Sequence, residues 1–226
     1  MKKIIVAIDG FAGAGKSTTA KRVAQALSYI YIDSGAMYRA ATLYFLRNKL
    51  DWTQASDLAQ ALEHIEIDFR YDPDNQQNCT LLNGENVEKE IRKMYISEQV
   101  SEVSRVAKIR HKVLHTQRKM GEAKGIVMDG RDIGSKVFPQ AELKIFMTAD
   151  VNIRARRRQE ELKERGEESI LADIIENLKS RDHIDSTRKE SPLVQVDDAH
   201  LLDSTHLSIQ EQSDFVIRLA RQIIER

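Results

Sequence analysis

A chain of 226 residues that is 41% hydrophobic and 31% charged can bury a real core, and it fits one large domain or one domain with inserts. Lys plus Arg and Asp plus Glu stand at 35 each, which excludes a global positive field for holding polyanions nonspecifically, so any anion site has to be local. The one cysteine, Cys79, can make no internal disulfide and suits a reducing cytoplasm, and the apolar run at 4–8 is too short to span a bilayer.

Residues 3–9 form a β-rich run ending at Asp9 and Gly10, and from Lys16 the pattern turns helical, with Ala20, Val23, Ala24 and Leu27 on one face. A second short run, YIYID, ends at Asp33, and SGAMYRAATLYFLRNK reads as the helix after it. Two successive strand-to-helix units imply a parallel, doubly wound sheet. After the helical DLAQALEHI, the stretches IEIDFRYD and NCTLLNGENV alternate in period two, which predicts a small antiparallel insert over about 63–90. A long helical region with breaks covers ISEQVSEVSRVAKIRHKVLHTQRKMGEAKG. GIVMDG and LKIFMTA are further buried strands, and NIRARRRQEELKERGEES is a helix dense in Arg and Glu. Helical ILADIIENLKSRDHIDSTRK, a last strand in AHLLDST and a terminal helix from SIQEQ complete the chain. No linker-like composition or internal repeat marks a second independent domain.

Between the first strand and helix lies GFAGAGKS, residues 10–17, a full G-x-x-x-x-G-K-[ST] phosphate loop in its required context. Gly10, Gly13 and Gly15 let the backbone turn its N–H groups inward, and with Ala12, Ala14 and Thr18 they surround the phosphates of a nucleoside triphosphate. Lys16 reaches toward the β- and γ-phosphates, and the Ser17 hydroxyl is placed to ligate Mg²⁺.

A phosphate loop alone does not separate a GTPase switch, an ATPase motor and a small-molecule kinase. NKLD at 48–51 resembles the guanine-reading N-K-x-D, but it falls at a predicted helix end and the chain has no D-x-x-G, so a helix-terminal turn is the better reading. GIVMDG offers Asp129 as the acid ending a Walker B strand. The next residues point elsewhere: Arg131 and Asp132 lie at the mouth of the sheet, where an arginine suits a phosphate and an aspartate suits an exocyclic amine. Further along, Arg181, Asp185 and Arg188 fall at i, i+4 and i+7, one face of a continuous helix. His111 and His115 are four apart with no third ligand spaced to them and read as a surface pair.

The segments DGFAGAGKST, DSGAMYR, NGENVEKEIR, VMDGRDIGSKVFPQAELKIFMTA, RARRRQEEL, RDHIDSTRKESPL and LLDST, in this order over nearly the whole chain, resemble the bacterial cytidylate kinases, P-loop enzymes that phosphorylate CMP and dCMP. Phe11 replaces the loop proline common there, and Val196 stands where a smaller residue is usual. The resemblance implies one α/β nucleoside monophosphate kinase domain with the P-loop NTPase fold, about five parallel strands flanked by helices. It places the core at 1–62, 91–150 and 170–226, a monophosphate-binding insert at about 63–90 and a helical lid at about 151–169.

It further implies that Arg39, Arg131 and Arg188 bind the CMP phosphate, with Ser34 and Tyr38 lining the same pocket. Ser101, Arg110 and Asp132 would read cytosine, the arginine donating to O2 and N3 and the aspartate accepting from the N4 amine, an arrangement that repels uracil. Arg181 and Asp185 would hold the sugar hydroxyls. Arg154, Arg157 and Arg158 would close over the triphosphate and stabilise the transition state. Mg²⁺ is expected as the companion of ATP, on Ser17 and through a water on Asp33. No general base is needed, because the accepting phosphate loses its second proton near pH ~6. The expected partners are ATP and CMP or dCMP, with no nucleic acid and no membrane, for a monomer. A kinase for shikimate or UMP is the nearest alternative, and a GTPase or nucleic-acid-associated ATPase the more distant one.

Overall fold

A computed structural model describes residues 2–72, 77–164 and 166–225. In chain order its elements are β1 (Ile5–Gly10), α1 (Lys16–Leu27), β2 (Ile30–Asp33), α2 (Ser34–Arg47), α3 (Ala55–His64), β3 (Ile67–Asp72), β4 (Gln77–Leu82) and β5 (Glu85–Asn86). A 3₁₀ turn at Glu90–Arg92 precedes α4 (Met94–Val103), α5 (Ala107–Gly121) and β6 (Ile126–Gly130). A single π-type turn at Ile133–Val137 precedes β7 (Leu143–Thr148), α6 (Val151–Glu164), α7 (Leu171–Thr187), β8 (His200–Asp203) and α8 (Ile209–Ile224).

Five strands form one sheet in the order β2-β6-β1-β7-β8, and β1 runs parallel to both β6 and β7, as β7 does to β8. Every residue of β1 is buried, which is why its sequence is nearly continuous Ile, Val and Ala instead of alternating. The chain divides into two compact units, residues 1–31 with 121–226, and residues 32–120. In the first, α1 and α8 lie against the sheet, and Ile4, Val6 and Ile8 share a core with Ala20, Val23, Leu143, Ile145 and Val216. A smaller core joins Ala12 to Ala155 and Leu162 of α6 and to Ile174 and Leu178 of α7.

In the second unit α2 is the organising helix, with Met37, Leu43 and Phe45 fully buried among Ile91, Ile96 and Ile109. The antiparallel patch expected over 63–90 is a three-stranded sheet, β3-β4-β5. Its third strand is two residues long and comes after a turn in which Asn83 and Gly84 both have positive φ, the Asn-Gly chemistry of a tight hairpin. The polar stretch at 73–76 lies outside the described residues.

Helix α8 starts on a reciprocal cap: the Ser208 hydroxyl accepts from the Glu211 amide at 3.2 Å, and the Glu211 carboxylate accepts from the Ser208 amide at 2.8 Å. Replacing Ser208 by Ala removes one arm from an exposed site, so we expect a loss of about 1 kcal/mol in urea unfolding with the slope of the transition unchanged.

Candidate functional site

Each loop glycine stands against a different element: Gly10 against β7, Gly13 against Arg154 of α6, and Gly15 against Gln212 of α8. At Gly10, with φ of 146°, an added Cβ would stand 1.9 Å from the Met147 carbonyl oxygen. The loop therefore lies flat over the end of β7, where the Phe11 amide donates to that same carbonyl at 3.3 Å. Gly15, also at positive φ, caps α1 without a side chain, leaving the first-turn amides of the helix free of any competing cap group. Ala12, Gly13, Ala14, Ser17 and Thr18 complete the turn, and the Lys16 ammonium folds back to donate to the Phe11 carbonyl at 2.7 Å.

Asp129, at the end of β6, accepts from the Ser17 hydroxyl at 2.9 Å and from the Tyr31 hydroxyl at 2.8 Å. The sequence offered this residue only as a possible Walker B acid; it is the carboxylate that meets the loop. Asp33, to which the metal water was assigned, has other bonds: one oxygen caps α2 at the Ala36 amide at 3.0 Å, and the other pairs with Arg92 at 2.8 Å. Burial raises the Asp33 carboxyl, but Arg92, the helix amide and Arg39 more than offset it and hold its pKa below the ordinary range.

Around the loop the first unit assembles a dense cation cluster. Arg131 donates through Nε to Asp185 at 2.7 Å. Arg188 lies 3.6 Å from Asp132 and 3.7 Å from Asp185, and its Nε donates to the Ser191 carbonyl at 2.8 Å. The helix expected to carry Arg181, Asp185 and Arg188 on one face stops at Thr187. Arg188 is its extended C-cap, so that side chain reaches Asp132 from a loop held by the Leu193 amide on the Asp185 carbonyl at 2.8 Å. Arg181 sits with its Nε buried and without a hydrogen-bond partner among the described residues.

These charges set each other's protonation. Burial and then Arg131 push Lys16 down to about 7, against the pull of Asp129, Asp185 and Asp9. Burial and then Arg131 likewise push Arg181 down to about 10. For Arg131 burial works against the charged form, and Asp185, Asp182 and Asp129 overcome it and raise the guanidinium above its ordinary value. Asp185, whose carboxyl burial alone would raise, is held low by Arg131, Arg181 and Arg188. Cations that depress one another in this way favour a multiply charged anion among them.

The arginines of α6 hold three different positions. Arg154 is 6% exposed: its Nε donates to Ala149, one terminal nitrogen donates to the Ala12 carbonyl at 3.1 Å and pairs with Asp182 at 2.7 Å, and the guanidinium lies over the Phe11 ring. Arg157 donates to the carbonyl and hydroxyl oxygens of Ser204, whose hydroxyl in turn donates to Ala14 at 2.9 Å. Arg158 pairs with Glu161 one turn along its own helix at 3.0 Å.

The second unit carries its own polar set. Ser34 opens α2, and Arg39 on the same helix donates to the Ser97 hydroxyl at 2.8 Å. The Arg110 guanidinium lies over the Tyr38 ring, 5.3 Å from its centroid, and donates to the Ser104 carbonyl at 3.1 Å. The Ser104 hydroxyl donates to the carbonyl of Ser101, so Tyr38, Arg110, Ser104 and Ser101 form one buried chain. Arg92, which sequence reasoning passed over, ties Asp33 to Glu88 on Arg92 Nε at 3.0 Å, and Glu88 holds Thr80 of β4 at 2.7 Å. The N-K-x-D look-alike is a helix end: Asn48 caps α2 by donating to Tyr44 at 2.8 Å, and Asp51 accepts from Thr53 in a local turn at 2.8 Å.

A phosphate loop on the end of a parallel sheet, with Arg131, Arg154, Arg181 and Arg188 gathered in the same unit, belongs to a P-loop kinase of small phosphorylated molecules. Residues 6–222 match the family described as cytidylate kinase, and this chain belongs to that family. It is 52% identical over 220 residues to a protein of Cytophaga hutchinsonii named cytidylate kinase, covering 97% of this chain and 94% of that one. It is also 53% identical over 220 residues to one of the same name from Bacteroides fragilis, covering 96% of each. A solved structure of an uncharacterized protein from Eubacterium ventriosum shares the fold at a TM-score of 0.56, with 13% identity over 100% of both chains.

The depressed Lys16 has a measurable consequence. Above pH 7 the free protein holds much of it neutral, and a bound polyphosphate restores the ammonium, so nucleotide binding takes up a proton. Calorimetry of ADP binding at pH 8, in buffers of differing ionisation enthalpy, should show uptake approaching about one proton per nucleotide and shrinking toward pH 6. No uptake at pH 8 would mean that Lys16 is already charged in the free protein.

Proposed function

We propose that this protein transfers the γ-phosphoryl group of ATP to CMP or dCMP, giving ADP and CDP or dCDP, in pyrimidine nucleotide metabolism. The observation that carries the reading is the set of mutually paired residues Arg131, Asp132, Asp185 and Arg188 beside the phosphate loop, in a chain of the cytidylate kinase family. Residues 10–18 bind the ATP phosphates and Lys16 follows the transferring charge. Arg39, Arg131 and Arg188 bind the CMP phosphate, with Ser34 and Tyr38 alongside. Ser101, Arg110 and Asp132 read cytosine, and Arg181 and Asp185 hold the sugar.

The buried arginines offer fixed donors to charge that develops on the equatorial phosphate oxygens, so positioning and electrostatics supply the catalysis. The acceptor oxygen is already anionic at neutral pH, and no side chain has to remove a proton. The donor set near the loop is all oxygen, which fits Mg²⁺: the Ser17 hydroxyl would ligate it and Asp129 would hold one of its waters. When bound it neutralises charge shared between the β- and γ-phosphates.

Within the proposal, residues 151–169 act as a lid and the small antiparallel sheet belongs to the monophosphate-binding region. Arg154 serves by bracing the loop at Ala12, whereas Arg158 pairs with Glu161 on its own helix, a local contact it can exchange for a phosphate. No helix among the described residues is long and apolar enough to cross a membrane. We place the protein in the cytoplasm as a monomer.

A coupled assay with ATP and Mg²⁺ across CMP, dCMP, UMP, AMP and shikimate tests the reading. CMP and dCMP should lead by a wide margin; turnover led by shikimate or UMP would refute it. Arg110→Met should lower kcat/KM for CMP by about a hundredfold and narrow the gap to UMP, since a buried charged donor to the base is lost. An equal loss with every acceptor would remove Arg110 from base recognition.

A further inference from the structure

Asp9 is the one carboxylate in β1, a strand otherwise built from apolar residues and glycine, and it is 6% exposed. Its two oxygens accept from the backbone amides of Ile133 and Gly134, each at 2.7 Å. Those amides open the π-type turn at Ile133–Val137, and an opening turn has donors that some acceptor must satisfy. The residue placed to do so is Asp132, which occupies the N-cap position and is of the type that ordinarily caps its own helix. Asp132 makes no such bond. Its carboxylate faces Arg188 instead, 3.6 Å away.

We infer that Asp9 is a positioning residue for acceptor specificity: by capping the turn from the neighbouring strand, it releases the Asp132 carboxylate from capping duty and holds it, with Arg131, toward the acceptor. This rests on the proposed function, in which Asp132 accepts from the cytosine amine. The tether joins the strand that leads into the phosphate loop to the segment that carries Arg131 and Asp132, and extends past Gly130 the backbone pairing of β1 with β6. Burial pushes the Asp9 carboxyl up to about 7 against the two amide bonds, with Asp132 raising it and Lys16 lowering it, which marks the position as one where a carboxylate is retained at a cost. With Asp9 gone, the two amides lose their acceptor, and Asp132, at the N-cap position, would turn into the cap in its place and away from its partner Arg188.

Three variants test this against a merely structural role. Asp9→Asn keeps the size but offers one acceptor oxygen and an amide N–H₂ that opposes a backbone N–H. Gly134→Ala leaves Asp9 in place and presses on the same contact, since its Cβ would stand 3.2 Å from Lys144 Cδ and 3.3 Å from Asp9 Oδ2. Asp132→Asn is the reference.

The readouts are kcat and KM for CMP and UMP at saturating ATP, KM for ATP, and the thermal midpoint. We expect Asp9→Asn to lower the CMP-to-UMP ratio of kcat/KM by about tenfold or more, with ATP KM within about twofold of the parent, and Gly134→Ala to shift the ratio in the same direction by less. A loss of kcat shared equally by CMP and UMP, or an unchanged ratio in soluble Asp9→Asn, overturns the inference. Should that variant not fold, Gly134→Ala decides: an unchanged ratio overturns it and a lowered one supports it. If Asp132→Asn itself leaves the ratio unchanged, the assigned role of Asp132 is refuted and the inference falls with it; a ratio lowered in Asp132→Asn alone refutes only the tether.

Discussion

Burying a positive charge without a partner is expensive, and the first unit buries Lys16 and Arg188 and half-buries Arg131 and Arg181 near one another. What makes this tolerable is a set of carboxylates: Asp132, Asp182 and Asp185 pair with arginines, Asp9 caps a backbone turn, and Asp129 accepts from the Ser17 and Tyr31 hydroxyls. Lys16 and Arg181 nevertheless remain depressed by burial and by Arg131, so added negative charge beside them would favour their charged forms. Fixed donors already gathered at one place bind an anion at a small cost in reorganisation.

The same carboxylates also position backbone. Asp129 fixes the Ser17 hydroxyl and the Tyr31 hydroxyl, Asp33 opens α2, and Asp9 opens the turn after Asp132. In each case an acid near the C-terminal end of a strand of the five-stranded sheet reaches the start of another element. That is where open α/β sheets gather their ligands, and here the strand ends supply the scaffolding of the site as well as its contacts.

The arginines of α6 show how far residue type alone carries an assignment. Arg154, Arg157 and Arg158 are near neighbours in the sequence, yet one supports the phosphate loop from beneath through the Ala12 carbonyl, one holds Ser204, and one bonds along its own helix. Helix periodicity sends residues three and four apart to one face but does not say which face has a carbonyl to meet. Roles that looked interchangeable in the sequence are separated by what each guanidinium touches.

The strand, glycine loop and first helix were legible in the sequence because their signals are local: a continuous apolar run, glycines at fixed spacing, and a 3.6-residue pattern, each satisfied within a few residues of chain. The small antiparallel sheet was legible as alternation for the same reason, apart from its two-residue third strand, which exists only by pairing with β4. The arginines and aspartates of the site could be named from the resemblance, but not their partners. That Arg188 lies beyond the helix end, that Asp129 accepts from the Ser17 hydroxyl, and that Asp9 caps a turn 124 residues away in the chain were decided by tertiary packing. Burial strips water from a charged group, and the partner that replaces the water is whichever element the fold brings alongside, a choice that no local pattern encodes.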